Sequence, residues 1–428
     1  MPVRPALTSW WRSAAGRAAG MVVSGIRRAG PTRATRASRP GPAGEELGRG
    51  VALRGTVWPG GDAAPYDDGV VLVDADGRVA ALGPASTVRV PAGMRSLGGP
   101  GCWVGPGVVD AHVHLAFGAA EEALRGGVVG VRDLGAPRRA ALRWRTGHRP
   151  PPPGRPSVGV AGPILTAPGG YPARSWGAAG FAAFVGTPAA ARLVVRGLAG
   201  DGVDLVKIAL EPGPDRRWPM PPPVVVRAVV EAAHGAGLRV TAHALVVEAV
   251  ARAVDAGVDE LAHTPTERLP EGLIERVAAT GMPVVSTLQT FFSGGAGRGA
   301  AANAAALHRA GVPLVYGTDL GNAGTRPGVD PRELDRLADA GLGRRGALLA
   351  ATVGTARLPG VRGRTGRLAA GEPAALVLLA GDPMVEPGVW RRPLAVLCDG
   401  RLVEPAGPVP DTLIQTTRRR PPDDLLGR

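Results

Sequence analysis

The chain has 428 residues, 45% of them hydrophobic, and its 50 lysine and arginine residues outnumber 36 acidic residues to give a formal net charge of +14. Single cores stop growing near ~250 to 300 residues, so this length predicts one large domain with a smaller companion. The only cysteines, Cys102 and Cys398, exclude a disulfide framework and a thiolate zinc site. No segment approaches the ~20 apolar residues of a transmembrane helix, and we expect a cytoplasmic protein with no membrane partner.

Much of the positive charge lies at the two ends of the chain. Residues 1–44 contain eight arginines and no acid, and residues 415–428 contain four arginines and two aspartates, so the ends supply ten of the fourteen net charges. We interpret residues 1–48 as a basic, disordered arm and residues 408–428 as a flexible tail. A nucleic-acid-binding protein is the alternative that the charge alone suggests, but we expect no nucleic-acid partner.

The elements after the arm begin with short β-branched segments. VALRGTVW, GVVLVDADGRVAALG and STVRVP are separated by Gly, Asp and Pro turns, which predicts antiparallel strands from about residue 51 to 98. Short strands return in GEPAALVLLAGDP and LAVLCDGRLVEP near the end of the chain. We therefore predict a small β-sandwich companion domain that is built from residues 49–104 and 360–407.

From Val108 onward, apolar strands alternate with Ala-, Leu- and Arg-rich helical stretches, which is typical of βαβ units and a parallel sheet. Eight such units favour a closed (β/α)8 TIM-like barrel over residues 105–359, and so an α/β fold class. The predicted strands are GVVDAHVHL, VVGVRDLG, PSVGVAGPIL, VDLVKIAL, LRVTAHAL, DELAHT, MPVVSTL and PLVYGTD.

Lysine usage is extreme, because Lys207 is the one lysine among the 50 basic residues and the other 49 are arginine. A chain that uses arginine wherever a cation suffices keeps a lysine where arginine cannot serve. Only the amine can lose its proton and be modified near neutral pH. Survival of Lys207 by chance is the alternative reading.

Several polar residues lie toward the carboxyl ends of the predicted barrel strands, where the mouth of a barrel carries its catalytic groups. His112 and His114 are two apart on one strand, so both imidazoles share a face and can chelate one ion. Apolar strands rarely carry such groups unless pairing or a metal compensates their burial. The remaining members of the set are Lys207, His243, His263 and Asp319.

These motifs resemble the amidohydrolase superfamily. The resemblance rests on GPGVVDAHVHL, the KI at Lys207, AHA at His243, LAH at His263 and GTD at Asp319, and it covers roughly residues 51 to 405. It is strongest to the imidazolonepropionase-related and binuclear prolidase-like members, which GVVGVRDLG and EAAHGAGLRVTAHA also resemble.

The resemblance implies a metal centre with two Zn²⁺ ions per chain. His112, His114 and Asp319 would hold the first metal, and His243 and His263 the second. Lys207, carboxylated by CO2, would bridge the two. Zinc suits such a mixed imidazole and carboxylate site, although manganese, iron or cobalt also fit it.

The activity implied is hydrolysis of an amide-type C–N bond in a peptide, an acyl amino acid or a cyclic amide, with Asp319 as the catalytic proton acceptor and donor. The partner would be a small molecule or a short peptide, and a homo-oligomer is compatible with the resemblance. This chain has PGGYP where many relatives have a GGH loop, which places Tyr171 near the site as a substrate contact or as an ordinary loop residue.

Two further readings remain open from the sequence. One is a mononuclear cyclic-amide hydrolase or deaminase, in which Lys207 carries no carboxyl group. The other is a non-catalytic relative that binds but does not turn over a ligand. Such proteins typically lose ligands, whereas all six positions are filled here.

Overall fold

The structure is a computed structural model that describes residues 45–118, 120–146, 155–177, 180–361, 366–403 and 414–416. The predicted basic arm lies almost wholly outside these residues, as does nearly all of the predicted tail. No helix within the described ranges is long and apolar enough to cross a membrane.

The chain forms an α/β fold in which two parallel sheets hold the candidate site residues. The first sheet has the order β6-β7-β8, and the second has the order β10-β9-β11-β12-β13-β14-β15. The strands are β6 (Val108–Val113), β7 (Val128–Asp133), β8 (Ser157–Val160), β9 (Ile164–Thr166), β10 (Ala182–Phe184), β11 (Val206–Ala209), β12 (Val240–His243), β13 (Glu260–Leu261), β14 (Val284–Val285) and β15 (Leu314–Val315).

Helices follow most of these strands. They are α1 (Ala120–Arg125), α2 (Arg138–Trp144), α3 (Pro188–Asp201), α4 (Pro223–Gly235), α5 (Val247–Asp255), α6 (Glu271–Thr280), α7 (Leu288–Gly294), α8 (Gly297–Arg309), α9 (Pro331–Leu337) and α10 (Gly343–Leu349). A π-helical turn follows each of the last two, and a 3-10 turn spans Pro387–Arg391.

In helix α3, residues of the helix and its immediate neighbours determine where the helix begins and ends. The Thr187 side chain accepts a hydrogen bond from the Ala190 amide at 3.2 Å, and a proline follows as the first helical residue. The helix ends at Gly202, whose φ of 81° is a left-handed conformation that glycine adopts without a steric penalty. The buried Ala191, Val195 and Leu198 form one face that packs on the sheet.

Each of the eight predicted strand segments contains a strand, but PSVGVAGPIL contains two, β8 and β9. The chain turns between them at Gly162, whose φ is +73°, and the following Pro163 has no amide proton to donate. The two parallel sheets also separate between these strands. Strand β10 is one that the sequence pattern did not predict.

Individual backbone hydrogen bonds join the two parallel sheets where their strand pairing is interrupted. The Ala111 amide donates to Tyr316 O at 3.2 Å, and the His114 amide donates to Leu320 O at 2.8 Å. On the other side, the Asp204 amide donates to Val160 O at 2.9 Å. The described strand pairing is therefore that of two sheets with bridging contacts and not of one continuous closed ladder.

Strands from both ends of the chain pair in a third, nine-stranded sheet. Its order is β1-β18-β17-β16-β5-β2-β3-β4, with β19 also paired to β5. The strands are β1 (Glu45–Glu46), β2 (Val51–Val57), β3 (Tyr66–Val73), β4 (Val79–Pro84), β5 (Arg95–Pro106), β16 (Ala375–Leu379), β17 (Ala395–Cys398), β18 (Arg401–Val403) and β19 (Ile414–Thr416). That this sheet is a separate sandwich domain, with the boundaries given above, stays a prediction.

The N-terminal strand prediction was wrong in two respects. STVRVP forms turns and loop, and the next strand is β5, which begins at Arg95 and pairs with β2 in parallel, whereas antiparallel strands were predicted. STVRVP ends at Pro91, and a proline cannot donate a hydrogen bond to a neighbouring strand. Trp103 of β5 lies 5.9 Å from Trp58 and 6.2 Å from Trp390 between ring centroids, so three large side chains pack at the junction of this sheet with the main core.

Candidate active site

The six sequence-predicted polar residues are all buried, and five of them lie at or just beyond the carboxyl ends of parallel strands, whereas Lys207 is the second of the four residues of its strand. His112 lies on β6 and His114 directly follows it, Lys207 is on β11, and His243 ends β12. His263 follows β13, and Asp319 follows β15. In the parallel pairing of β11 with β12, Lys207 is opposite Thr241 and Ala209 is opposite His243, so the side chains of Lys207 and His243 lie on the same face of the sheet.

The structure brings His112, His114 and Asp319 together as a group that could hold a metal ion. Their ligand atoms all lie within 4.8 Å of one another. Nε2 of His112 lies 3.4 Å from Nε2 of His114, and each of these nitrogens lies 3.3 Å from Asp319 Oδ1. Two ligand atoms each about 2.1 Å from a tetrahedral ion are themselves about 3.4 Å apart, so the three spacings match the edges of a coordination tetrahedron.

Backbone carbonyls orient the two rings. Nδ1 of His112 donates to Ala262 O at 2.8 Å, and Nδ1 of His114 donates to Gly135 O at 3.1 Å. In a neutral imidazole, a proton on Nδ1 leaves a lone pair on Nε2. Nε2 of His112, Nε2 of His114 and a carboxylate oxygen thus face one another at 3.3–3.4 Å. The Asp319 carboxylate raises the pKa of His114 although burial opposes the shift, so this site favours a positive charge between the ring and the carboxylate, which a metal ion can supply.

His243 and His263 lie beside this group. Their ring centroids are 4.7 Å apart, and the ring of His263 is 4.5 Å from that of His112. Nδ1 of His263 lies 3.0 Å from the hydroxyl of Thr287. These two histidines do not belong to the group of His112, His114 and Asp319. Among the described residues, no third His, Cys, Asp or Glu side chain lies close enough to them to complete a similar group.

Burial controls the charge of the site. It lowers the pKa of His112, of His243 and of His263, so these rings are neutral and their lone pairs are available. Burial also lowers the pKa of Lys207 to about 7. Burial alone would raise the pKa of Asp319, but the adjacent His112 and His114 outweigh it and hold that pKa below the usual range.

Several atoms of the cluster lack the partners that buried polar groups normally have. Among the residues that the structure describes, the buried side-chain atoms without a hydrogen-bond partner include Lys207 Nζ, Glu211 Oε2, His243 Nε2 and Asp319 Oδ1. An absent ion is one explanation for unsatisfied buried groups that cluster in one place. The donor set therefore fits a divalent metal.

Tyr171 also lies next to the site. It is buried, its ring centroid is 4.7 Å from that of His243, and its hydroxyl accepts a hydrogen bond from Trp176 Nε1 at 3.0 Å. Trp176 in turn lies 5.1 Å from the ring of His114. These two aromatic residues form one wall of the site.

Sequence reasoning missed several residues that support this site. Asp110 is two residues before His112 and so shares its strand face, a signal that was available. Asp133 accepts hydrogen bonds from the amides of Leu115 and Gly135, which places the loops on either side of the site. Glu211 lies beyond the end of β11, where strand periodicity says nothing about its direction.

Comparisons with known proteins identify the family of this chain. The model of the amidohydrolase family matches residues 103–403. An uncharacterized protein of Mycobacterium tuberculosis is 29% identical over 344 residues, which is 71% of this chain and 86% of that protein. The structure of a putative prolidase from Bifidobacterium longum is 27% identical with a TM-score of 0.71, over 86% of this chain and 98% of that chain.

A structure described as a Xaa-Pro dipeptidase with methionine bound in its active site has a TM-score of 0.71 at 20% identity, and the match covers 83% of this chain and all of that chain, a likeness of fold. Since the family model spans most of the chain, the chain belongs to the amidohydrolase family. It is a metal-dependent hydrolase of carbon–nitrogen bonds with prolidase-like relatives.

Proposed function

We propose that this protein hydrolyses an amide-type C–N bond of a dipeptide or acyl amino acid, at a binuclear site that carboxylated Lys207 bridges. The observation that carries the proposal is that Nε2 of His112, Nε2 of His114 and Oδ1 of Asp319 face one another at tetrahedral spacing. The short-peptide substrate class is supported by the likeness to the putative prolidase from Bifidobacterium longum.

Lys207 supports the binuclear form of the proposal. Its Nζ is buried without a hydrogen-bond partner among the described residues, and burial lowers its pKa to about 7. An unprotonated amine can attack the carbon of CO2; an N–C bond forms, one C=O π bond becomes a carboxylate C–O⁻, and one N–H proton is released, which leaves an anionic carbamate with two oxygens. That carbamate would supply an anionic ligand beside His243 and His263, with zinc as the metal of choice for this donor set.

The chain's own residues perform the proton transfers in this proposal. A divalent metal, when bound, activates water and polarises the substrate carbonyl. Asp319 accepts the proton of the attacking water and returns it to the leaving nitrogen. The C–N bond breaks as a C–O bond forms, and the products are a carboxylic acid and an amine. Tyr171, with Trp176, contacts the substrate from the side of His243.

We also propose that the parallel strands close into a (β/α)8 barrel around this site. The backbone hydrogen bonds from Ala111 to Tyr316 and from Asp204 to Val160 support closure, because they join the two parallel sheets on both sides.

A mononuclear cyclic-amide hydrolase or deaminase is the second candidate. One observation favours it: among the residues that the structure describes, His112, His114 and Asp319 are the one group of three His, Cys, Asp or Glu residues whose ligand atoms lie within reach of one another. In that case Lys207 stays an amine and the site holds one metal.

Metal content and lysine carboxylation together distinguish the two candidates. Protein prepared with zinc and ¹³C-bicarbonate would be compared with Lys207→Arg, which keeps a cation but cannot form the carbamate. Because Lys207 is the one lysine in the sequence, a ¹³C carbamate signal that disappears in the variant is assigned without further mutants. Two metals with this signal, and loss of both the signal and a metal in the variant, support the binuclear hydrolase.

One metal in both proteins and no carbamate signal would instead support the mononuclear candidate. The same preparations would be assayed with dipeptides, acyl amino acids and cyclic amides. Hydrolysis of cyclic amides without hydrolysis of the linear substrates would overturn the proposed substrate class.

A further inference from the structure

Glu211 lies four residues after Lys207, just past the end of β11, and nothing in its sequence context marks it as a functional residue. Its side chain is nonetheless 4% exposed and reaches the cluster. Oε2 of Glu211 lies 3.4 Å from Nε2 of His243. Neither atom has a hydrogen-bond partner in the described part of the chain.

The two oxygens of Glu211 have different surroundings. Oε1 accepts a hydrogen bond from the Gly213 amide at 2.9 Å, which fixes the carboxylate plane. Oε2 is left directed at His243. A carboxylate that is held by one oxygen and open at the other has the form of a monodentate metal ligand.

The spacing between Glu211 and His243 repeats the spacing in the first half of the site. The 3.4 Å between their nearest ligand atoms equals the separation between the Nε2 atoms of His112 and His114. Both match the edge of about 3.4 Å expected for two ligands of one tetrahedral ion. By this distance, Glu211 with His243 is as well placed to bind one ion as His112 with His114 is.

Burial distinguishes an ion from a substrate group at this position. Oε2 of Glu211 and Nε2 of His243 are both closed to a water molecule. A substrate ammonium group is about the size of water and carries the rest of the substrate with it, so it does not reach atoms that are closed to water, whereas a bare dication fits between the two atoms. An isolated carboxylate buried in this way would be costly without a cation.

We propose that Glu211 is a ligand, through Oε2, of the metal ion that His243 holds. This inference rests on the proposed binuclear function, because it concerns the second metal. The chain then supplies a third anionic ligand beside Asp319 and the carbamate of Lys207. A second metal that binds three kinds of side chain is less dependent on the carbamate alone.

The test is Glu211→Gln, with metal binding as the readout. The amide oxygen of glutamine can keep the hydrogen bond from Gly213, so the NH2 group takes the position of Oε2 and cannot coordinate. We expect the zinc content to fall from two ions to one per chain, with the affinity for the second ion weakened by about 100-fold or more. Glu231→Gln removes an equal charge from an exposed position on α4 and should keep both ions.

Cobalt substitution separates a ligand from a residue that merely orients His243. Removal of a ligand changes the coordination of the second Co²⁺ and so the visible absorption spectrum, whereas loss of an orienting contact weakens binding without changing the spectrum of the filled site. Retention of the first ion shows that the variant is folded. Glu211→Asp, which keeps the charge but shortens the side chain, should recover part of the affinity.

The failures are distinguishable. If the wild-type protein and Glu211→Gln both hold two ions with equal affinity and identical cobalt spectra, the role of Glu211 is overturned while the binuclear hydrolase stands. If Glu211→Gln binds the second ion more weakly but its filled cobalt spectrum is unchanged, Glu211 is not a ligand. If the wild-type protein binds one ion or none, both the binuclear function and the Glu211 ligand fail.

Discussion

Asp110 and Thr318 tie the strand that carries His112 to the loop that carries Asp319. Asp110 Oδ1 accepts hydrogen bonds from the Thr318 amide at 3.0 Å and from the His112 amide at 3.1 Å. Its other oxygen, Oδ2, accepts a hydrogen bond from the Thr318 hydroxyl. One buried carboxylate therefore sets the relative position of two metal-ligand candidates that are about half a chain apart.

We predict that Thr318→Val weakens both folding and metal binding. The substitution keeps the shape of the side chain but leaves Asp110 Oδ2 without its hydroxyl donor, at a cost of about 1 to 3 kcal/mol in the free energy of unfolding. A displaced Asp319 should also weaken metal affinity by about 10- to 100-fold. Urea unfolding and zinc titration measure the two effects. Thr318→Ser, which retains the hydroxyl, should restore both, and an unchanged Thr318→Val would contradict the role of this contact.

A second prediction concerns the buried ion pair of Arg132 and Glu260. Both guanidinium NH2 groups lie 2.9 Å from the two carboxylate oxygens, and the Thr241 hydroxyl donates to Glu260 Oε1 at 2.7 Å. Removal of one partner leaves an unpaired buried charge, so Arg132→Met should lower the free energy of unfolding by about 3 to 5 kcal/mol. Urea unfolding would show this loss.

The matched control is the double variant Arg132→Met with Glu260→Leu. Because it removes both charges, we expect it to recover much of the stability that the single variant loses. If the effects of the two single substitutions simply add in the double variant, the pair is not energetically coupled.

Some strands and helices of this fold are determined by the residues within the element itself. The strands that carry His112, Lys207 and His243 are apolar runs bounded by glycine or polar turns, and such runs predict strands without knowledge of tertiary contacts. Helices such as α3 carry their start and stop signals within a few residues. The positions of the candidate residues on those strands were therefore predictable, whereas their roles as metal ligands stay a prediction.

The features that were missed depend on contacts between distant parts of the chain. Glu211 lies beyond the end of its strand, so the alternation of side chains along a strand does not predict where its side chain points. Its position next to His243 depends on the loop conformation and on the hydrogen bond from the Gly213 amide. The partnership of Arg132 with Glu260 joins positions 128 residues apart. The sequence pattern of one segment does not show which residue of a distant segment will contact it in the folded protein.

Glu333 supports a prediction about pH. Its two oxygens accept hydrogen bonds from the amides of Leu288 and Gln289, at 2.9 and 2.6 Å, at the start of α7. Burial raises the pKa of Glu333 to about 7, above its ordinary value of 4.5, although those hydrogen bonds oppose the shift. The folded protein thus binds the proton more tightly than the unfolded chain does.

The sign of the effect follows from linkage. The contribution of Glu333 to stability is full below about pH 4.5 and is lost as the pH rises through about 7. The free energy of unfolding of the wild-type protein should therefore fall by roughly 2 to 3 kcal/mol more than that of Glu333→Gln between pH 5 and pH 8. Urea unfolding of the two proteins at both pH values measures the difference, and parallel pH curves would refute it.

Tyr171 offers a test of the aromatic wall once a substrate is in hand. Tyr171→Phe removes the oxygen that accepts the Trp176 Nε1 hydrogen bond and leaves the ring beside His243. A loosened Trp176 should raise KM by about three- to tenfold while kcat changes by less than about twofold, because the lost interaction is a binding contact. Steady-state kinetics would show this, and a fall in kcat with constant KM would assign Tyr171 to the chemical step instead.

Metal removal should destabilise the protein, because the polar atoms of the site are satisfied only when an ion is present. Without it, the lone pairs of His112 and His114 face Asp319 Oδ1 at 3.3 Å with no cation between them. Zinc that binds the folded state alone adds about 2.7 kcal/mol of stability at a free concentration 100 times its Kd. Thermal unfolding after chelation, and again after zinc is restored, would measure this gain. Asp319→Asn should gain less stability from zinc than the wild-type protein does, because it removes the one carboxylate of the first group while the ligands of the second ion remain. An equal gain in both proteins would place the stabilising ion elsewhere.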